Sequence, residues 1–168
     1  MSGYQTVRPE PVEGRFAATG ASTSSARTEH PNSIRFAGYA AIFNRIDKGG
    51  DIIRPGAFGE FPAGQSLPLL WQHDPRQQIG RVDYVREDRR GLRVIASVSS
   101  ATKAGRNAVA VLSSGAMKGL SFGYRVNRSS GQQPRELIDL DVAEISLVTY
   151  PMQPRAMIHR VDGFVDLS

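Results

Sequence analysis

"GLSFGYRV", residues 119–126, carries a serine with a glycine two positions to either side, Gly119, Ser121 and Gly123. G-x-S-x-G is the pattern of the nucleophile elbow, in which the serine lies on a sharp turn between a strand and a following helix. Here a segment with helical spacing precedes the serine, and the stretch itself has the pattern of a strand. Only 47 residues and one histidine, His159, follow Ser121, and no glycine-rich oxyanion loop precedes it. The context excludes an α/β-hydrolase.

The segment before this stretch is the clearest helix in the chain. Residues 100–117 place apolar side chains three and four positions apart, and Gly115 is suited to a C-terminal cap. The apolar positions are Ala104, Ala108, Val111 and Leu112.

Most other segments are typical of strands separated by turns. The predicted strands are 34–43, 52–54, 67–74, 79–88, 91–100 and 135–150. The fourth and fifth form a hairpin, and the last is either one long strand or a pair broken by a bulge. Turns are expected at 44–51 and 55–56, a helical turn around 57–61 and a loop at 129–134. Since strands and helices do not alternate regularly, we predict a mainly β (α+β) fold, a β-barrel-like core with one principal helix.

The chain has 168 residues, enough for one substantial core. Residues 1–33 are rich in Pro, Gly, Ser, Thr and Ala and lack periodicity, which predicts a disordered or extended tail before a folded domain at 34–168. There are no cysteines, which excludes disulfides and thiolate chemistry. No apolar run is long enough to span a bilayer and no secretory signal is evident, so we expect a cytoplasmic protein without a membrane partner.

The net charge of +5 and the pI near 10.0 raise the possibility of nucleic-acid binding. The arginines are scattered, however, and the densest group, residues 86–90, is interrupted by acids and is typical of a solvated hairpin loop. A nucleic-acid-binding barrel would need aromatic side chains interleaved with arginines on one face. Only 13 aromatic residues are present, mostly at positions that favour the core. Nucleic acid is therefore not the expected partner.

A histidine upstream of the serine offers another catalytic arrangement. His73 ends the apolar segment Leu69-Leu70-Trp71-Gln72, at a loop edge where catalytic groups are often held. Nucleophile, base and orienting group occur in different chain orders on unrelated folds, so His73 before Ser121 is acceptable. His30 and His159 lack the spacing of metal ligands.

Four blocks of the chain together resemble a known family: "GYAAIFN…GGDIIRPGAF", "LPLLWQHD", "GLSFGYRV" and "AEISLVTYPMQPRA". They are similar in order and spacing to the tailed-phage prohead (procapsid) maturation proteases, whose relatives occur in gene transfer agents. The resemblance spans about residues 34–158. It implies a serine endopeptidase that enters the procapsid, cuts scaffold and major capsid protein segments, and often cleaves itself. It also implies a β-barrel core distantly similar to the herpesvirus assemblins, which act as dimers, so a homodimer is possible by analogy.

Carried over by block, the resemblance implies His73 as the general base and Ser121 as the nucleophile. Assemblins use a second histidine as the third member, whereas the phage family implies an acid. The candidates are Asp74, Asp139, Asp141 and Glu144.

Strand geometry separates these acids. Asp74 directly follows His73, and adjacent strand residues point to opposite faces. In an unbroken strand, Glu144 lies on the apolar face with Leu140 and Val142, where an unpaired carboxylate is costly and an imidazole is a suitable partner. We therefore predict Glu144 as the third member, with Asp141 favoured instead if a bulge reverses the phase.

The predicted chemistry needs no metal or cofactor. His73 would take the proton of Ser121 and pass it to the leaving amine, while Glu144 orients the ring. Backbone N–H groups at Gly119 or Ser121 are candidates for the oxyanion site, and Arg125, which shares strand parity with Ser121, is a further one. The main alternative is non-catalytic: a phage tube or shell protein on a related barrel.

Overall fold

The computed structural model describes residues 33–162. The predicted tail at 1–33 lies outside these residues, apart from Ser33, so the domain division at residue 34 stays a prediction. The elements are β1 (Ser33–Ile42), β2 (Asp51–Ile53), β3 (Pro68–Trp71), β4 (Asp74–Glu87), β5 (Gly91–Ser99), α1 (Lys103–Ser113), β6 (Gly119–Ser130), β7 (Arg135–Val148) and β8 (Ile158–Asp162). A mainly β fold with one principal helix is confirmed for the described part of the chain.

The eight strands form one sheet in the order β2-β7-β3-β4-β5-β1-β8, and β6 pairs with β7. β7 is the central strand for function, because β2 and β3 pair with it in parallel and β6 pairs with it antiparallel. Within residues 33–162 the strand ladders do not close the sheet. An isolated bridge between Gly119 and Met157 brings β6 next to the segment that leads into β8. The predicted barrel is therefore approached but not completed.

Alternating apolar residues of the strands build the core. In β5, every second side chain is fully buried, namely Leu92, Val94, Ala96 and Val98. The predicted hairpin of 79–88 and 91–100 is present as β4 and β5, which pair antiparallel. The prediction succeeds for these two strands because apolar and polar residues alternate along them, which gives the pair one buried and one exposed face.

The helix is shorter than predicted. It spans 103–113 rather than 100–117, because Thr102 caps its start by accepting a hydrogen bond from the Gly105 N–H at 3.0 Å. Gly115, just past the end, has a φ of +70°, as a helix-terminating glycine should. Ala108 and Leu112 are buried as predicted, together with Gly105 and Val109, whereas the predicted Ala104 and Val111 are only partly buried against the core. The helix packs mainly on β4 and β5.

One strand prediction is wrong, and in another segment the bulged alternative is the one present; both differences affect the site. The predicted strand 67–74 is broken by a turn at Gln72 and His73, and Asp74 already belongs to β4. β7 is not regular, because Gly123 pairs with Glu144 while Tyr124 pairs with Val142, which leaves Ala143 as an extra residue. Elsewhere, residues 55–58 form turns instead of a helical turn at 57–61, and β6 runs on to Ser130 into the predicted loop.

The described residues contain no helix whose length and hydropathy would let it span a bilayer.

Candidate active site

His73 lies in a tight turn between β3 and β4. Trp71 pairs with Asp74, which leaves Gln72 and His73 as the two residues of a hairpin loop. Both have positive φ angles, 51° and 60°, as in the type I′ turns that join antiparallel strands. Asparagine and glycine are the residues normally favoured there, so a Gln-His pair is a strained choice. Other contacts must hold the turn.

The end of β7 supplies those contacts to Gln72. The Gln72 N–H donates to the carbonyl oxygen of Leu147 at 3.0 Å. The Gln72 side-chain amide donates to Thr149 Oγ1 at 2.6 Å and accepts from the Thr149 N–H at 3.2 Å. Because β3 runs parallel to β7, both strands deliver these groups to the same end of the sheet.

The His73 ring meets a carboxylate of β7. Its Nδ1 lies 2.6 Å from Glu144 Oε1, and the side chains are 42% and 12% exposed, respectively. An ionised carboxylate only accepts hydrogen bonds, so Nδ1 is the donor in this contact, and in the neutral tautomer with this hydrogen Nε2 carries the lone pair. The imidazole is thus oriented with its basic nitrogen directed away from Glu144.

A second serine connects these groups. Ser146 Oγ donates to Glu144 Oε2 at 2.6 Å and accepts the His73 backbone N–H at 3.2 Å. Its side chain is completely buried. Ser146 was not among the predicted site residues.

Ser121 lies on β6 directly opposite Ser146, and it is 7% exposed. Opposed residues of an antiparallel pair share a face, so Ser121 lies on the same side of the sheet as Ser146, Glu144 and the His73 ring. In the described part of the chain, no hydrogen bond joins Ser121 Oγ to His73. Catalytic hydrogen bonds are often long without substrate and shorten in its complex.

Both glycines of G-x-S-x-G lie in close packing, Gly123 against a side chain and Gly119 against backbone. A Cβ at Gly123 would lie 2.6 Å from Glu144 Oε1. At Gly119 it would lie 2.4 Å from the carbonyl oxygen of Val148 and 2.9 Å from Pro151 Cδ. The motif therefore reflects a strand packed against its neighbours and not a nucleophile elbow.

The structure separates the four candidate acids. Asp74 accepts hydrogen bonds from the Arg76 guanidinium at 3.0 Å and from the Gln77 amide at 2.9 Å. These bonds, that of Arg76 above all, hold the pKa of the Asp74 carboxyl well below its usual range. Asp139 and Asp141 lie on exposed positions of β7. Glu144 is the acid that the structure brings to His73.

The reason given for Glu144 from the sequence is wrong, although the residue lies where the prediction needs it. We expected Glu144 on the apolar face of an unbroken strand. The extra residue at Ala143 shifts the phase, so that Ile145 and Leu147 are buried in the core and Glu144 and Ser146 lie on the opposite face. The bulge lies beyond Asp141 and does not bring that residue to His73.

The oxyanion candidates lie apart from one another. The Leu120 N–H donates to Ala156 O at 2.9 Å, away from β7, so the N–H groups of Gly119 and Ser121 on either side point toward β7. Arg125 is exposed and lies four residues along β6 from Ser121, about 13 Å at the usual rise of a strand. An oxyanion role for the N–H groups of Gly119 and Ser121, or for the Arg125 side chain, stays a prediction.

The remaining described histidine contacts β1. His159, on β8, packs edge-on against Tyr39 of β1, with 5.6 Å between ring centroids. Burial, and then the charge of Arg90, lowers the pKa of His159. Residues 33–162 contain no group of three His, Cys, Asp or Glu side chains that could hold a metal ion.

Ser146 and Gln72 are the two polar residues that the sequence reasoning missed. Ser146 shares strand parity with Glu144, two positions away, which is the signal that was available. The local sequence does not show that Glu144 and Ser146 face the turn after β3, because that contact comes from pairing between distant segments.

Known proteins resemble this chain in sequence and in fold. The prohead protease of Enterobacteria phage HK97 is 31% identical over 140 residues, which cover 76% of this chain and 61% of the relative. The chain thus spans somewhat less than two thirds of that protein's length.

Solved structures of two herpesvirus proteases share the fold. The varicella-zoster virus protease aligns with a TM-score of 0.52 at 14% identity, over 78% of this chain and 64% of its own. The KSHV protease in complex with a hexapeptide phosphonate inhibitor aligns with a TM-score of 0.57 at 12% identity, over 79% and 66%. These likenesses confirm the predicted assemblin-like fold.

The sequence profile of the caudovirus prohead serine proteases matches residues 22–164. This range contains His73, Ser121 and Glu144 and most of the chain. With the 31% identity to the phage HK97 protein, the match shows that the chain belongs to the caudovirus prohead serine protease family.

Proposed function

We propose that this protein is a serine endopeptidase with Ser121 as nucleophile, His73 as general base and Glu144 as the group that orients the base. The observation that supports this most is the 2.6 Å contact between His73 Nδ1 and Glu144 Oε1 on the face of the sheet that carries Ser121. A neutral imidazole with its Nε2 available beside a serine hydroxyl is the arrangement that activates the hydroxyl.

The reaction follows from these roles. His73 Nε2 takes the Ser121 hydroxyl proton as Oγ forms a bond to the scissile carbonyl carbon. The C–N bond then breaks, and the imidazolium gives the proton to the leaving amine. A water molecule repeats the sequence on the acyl-enzyme and frees Ser121. Glu144 stabilises the transient imidazolium, because the His73 side chain is only partly exposed and water alone would solvate the charge incompletely.

His73 Nε2 and the Ser121 hydroxyl would have to come within hydrogen-bond distance before this transfer. The His73 turn is held at its ends by β3 and β4 and by hydrogen bonds to β7, while the His73 side chain itself is 42% exposed. Glu144 Oε1, which contacts the ring, also lies beside Gly123 of β6, two residues from Ser121.

The substrates we propose are the N-terminal segments of scaffold and major capsid protein in the assembling procapsid, with cleavage of the enzyme itself as a further reaction. The support is family membership, since the relatives are named as prohead proteases. The site of action would be the procapsid in the cytoplasm. A homodimer and an origin in a phage or a gene transfer agent are compatible with the same proposal.

Co-expression of the chain with its capsid protein tests the activity. We expect the wild type to shorten the capsid protein and Ser121→Ala to leave it intact while remaining folded. Ser97→Ala is the matched control, because it also removes a serine hydroxyl. That hydroxyl donates to Asp83 with a bond length of 2.5 Å, and neither residue belongs to the proposed site. Undiminished processing by Ser121→Ala would favour the alternative, a non-catalytic phage tube or shell protein on this fold.

A further inference from the structure

Ser146 differs from an ordinary buried strand serine in what it contacts. Buried hydroxyls usually bond to a nearby backbone group of their own element. Ser146 instead joins two groups that belong to one proposed catalytic unit, the Glu144 carboxylate at 2.6 Å and the His73 backbone N–H at 3.2 Å. The Ser146 Oγ atom thereby links the residue proposed as the base to the residue proposed as the orienting acid.

The bond to Glu144 sets the rotation of the carboxylate. Oε2 is occupied by the Ser146 hydroxyl and Oε1 by His73 Nδ1, so each oxygen has one partner. The Glu144 side chain is 12% exposed, and water has little access to replace a missing donor. Without the hydroxyl, the carboxylate could turn about its last bond, and the position of Oε1 opposite Nδ1 would no longer be unique.

The bond to His73 acts on the backbone. His73 has a φ of 60°, in the left-handed region that non-glycine residues seldom adopt. Such a conformation persists only where surrounding contacts hold it. Ser146 accepts the N–H of that residue, while Leu147 and Thr149 hold Gln72 before it.

We propose that Ser146 is a positioning residue of the peptidase, which holds the His73 backbone and the Glu144 carboxylate in the relative geometry that presents Nε2 to Ser121. This inference rests on the proposed function. Ser146 is not the nucleophile, because its side chain is completely buried and its hydroxyl hydrogen is donated to Glu144.

Steady-state hydrolysis of a peptide substrate tests the role. We expect Ser146→Ala to lower kcat about ten- to hundredfold, the range for a small misplacement of catalytic groups, and to leave KM within about twofold. Ser97→Ala, which loses the same kind of serine–carboxylate hydrogen bond, should keep wild-type kcat. A fall in both variants, or an unchanged kcat in folded Ser146→Ala, would overturn the proposal.

A spectroscopic measurement separates positioning from general stability. In the Ser121→Ala background, which prevents self-cleavage, the proton on His73 Nδ1 should give a downfield NMR signal through its bond to Glu144. Adding Ser146→Ala should broaden or remove that signal, and adding Ser97→Ala should not. If the signal is the same in all three proteins, Ser146 does not position the pair.

Ser146→Cys keeps the proposal testable if the alanine variant does not fold. Cysteine fills a similar volume but is a weak donor, so folded Ser146→Cys should also lose kcat. Wild-type kcat in that variant would contradict the role. The two proposals also fail differently: cleavage by Ser121→Ala overturns the proposed function, whereas an inactive Ser121→Ala with a fully active Ser146→Ala overturns only this inference.

Discussion

Gly123 makes room for the carboxylate of the site. Its Cα lies opposite Glu144 on β7, and an added Cβ would meet Glu144 Oε1 at 2.6 Å and Cγ at 3.0 Å. Both are atoms of a side chain that can move, so the chain would tolerate the methyl group by shifting the carboxylate. A glycine two residues after the serine is thus tied to the position of the acid.

Gly123→Ala should therefore reduce activity more than stability. We expect kcat to fall at least about tenfold, because Oε1 is pushed from its place beside His73, while the free energy of unfolding changes by less than about 1 kcal/mol. Peptide hydrolysis and urea denaturation measure the two effects. Gly49→Ala is the control, since its Cβ would also meet side-chain ends, Met152 Cε at 3.1 Å and Asp47 Oδ1 at 3.3 Å, outside the site. Full activity in Gly123→Ala would show that the carboxylate position is not critical.

Asp74 and Glu144 are expected to respond differently to removal of their charge. The Arg76 hydrogen bonds keep the pKa of Asp74 below its usual range, so the group stays ionised at every pH above about 4 and cannot cause an acid limb near neutrality. A lowered pKa stabilises the folded state above the unfolded value of about 3.9, and this contribution is lost only as the pH falls further.

We thus expect Asp74→Asn to keep kcat and the acid limb of the pH–rate profile, whereas Glu144→Gln should lower kcat by about 10² to 10⁴. The profiles of the two variants are compared directly with the wild type. A large loss in Asp74→Asn with little in Glu144→Gln would assign the third member to Asp74.

At the scale of elements, the turn between β3 and β4 and the helix have separate tasks. The turn carries His73 and is held by β7, whereas α1 packs mainly on β4 and β5. The helix should therefore contribute to stability without influencing catalysis.

Thr102→Ala tests this separation. Loss of the cap to the Gly105 N–H should cost about 1 kcal/mol of unfolding free energy, with kcat and KM unchanged. Thr102→Ser, which keeps the hydroxyl, should regain most of that stability. Denaturant midpoints measure the stability and peptide hydrolysis measures kcat and KM. A lower kcat in Thr102→Ala that is fully folded would mean that α1 is coupled to the site.

At the scale of the whole molecule, the two ends of the sheet meet at a glycine of β1. A Cβ at Gly38 would lie 2.5 Å from Met157 O and 2.9 Å from Ile158 Cα, and also 2.9 Å from Leu120 Cδ1 of β6. Here β1, β6 and the start of β8 approach so closely that the near-closure of the sheet depends on a missing side chain.

Gly38→Ala should destabilise the protein by about 1–3 kcal/mol, as overpacking of a core does, because two of the three obstructing atoms belong to the backbone and cannot turn aside. Urea denaturation measures the change against Gly49→Ala. An unchanged midpoint would show that β8 can separate from β1 at no cost.

The sequence by itself determined the local features of this protein. Alternating apolar residues predicted β4 and β5, the spacing of three and four predicted α1, and the four blocks indicated the family that the comparison confirmed. These features depend on neighbours in the chain, so periodicity is enough to find them.

Only the tertiary structure decided how the site is arranged. The phase of β7 depends on the extra residue at Ala143, which appears only when β6 is paired beside it, and the His73 turn depends on contacts with β7 some 73 residues later. A one-residue shift moves every side chain of a strand to the other face, so the role of Ser146 and the face of Glu144 are set by pairing between distant strands, which the local sequence does not encode.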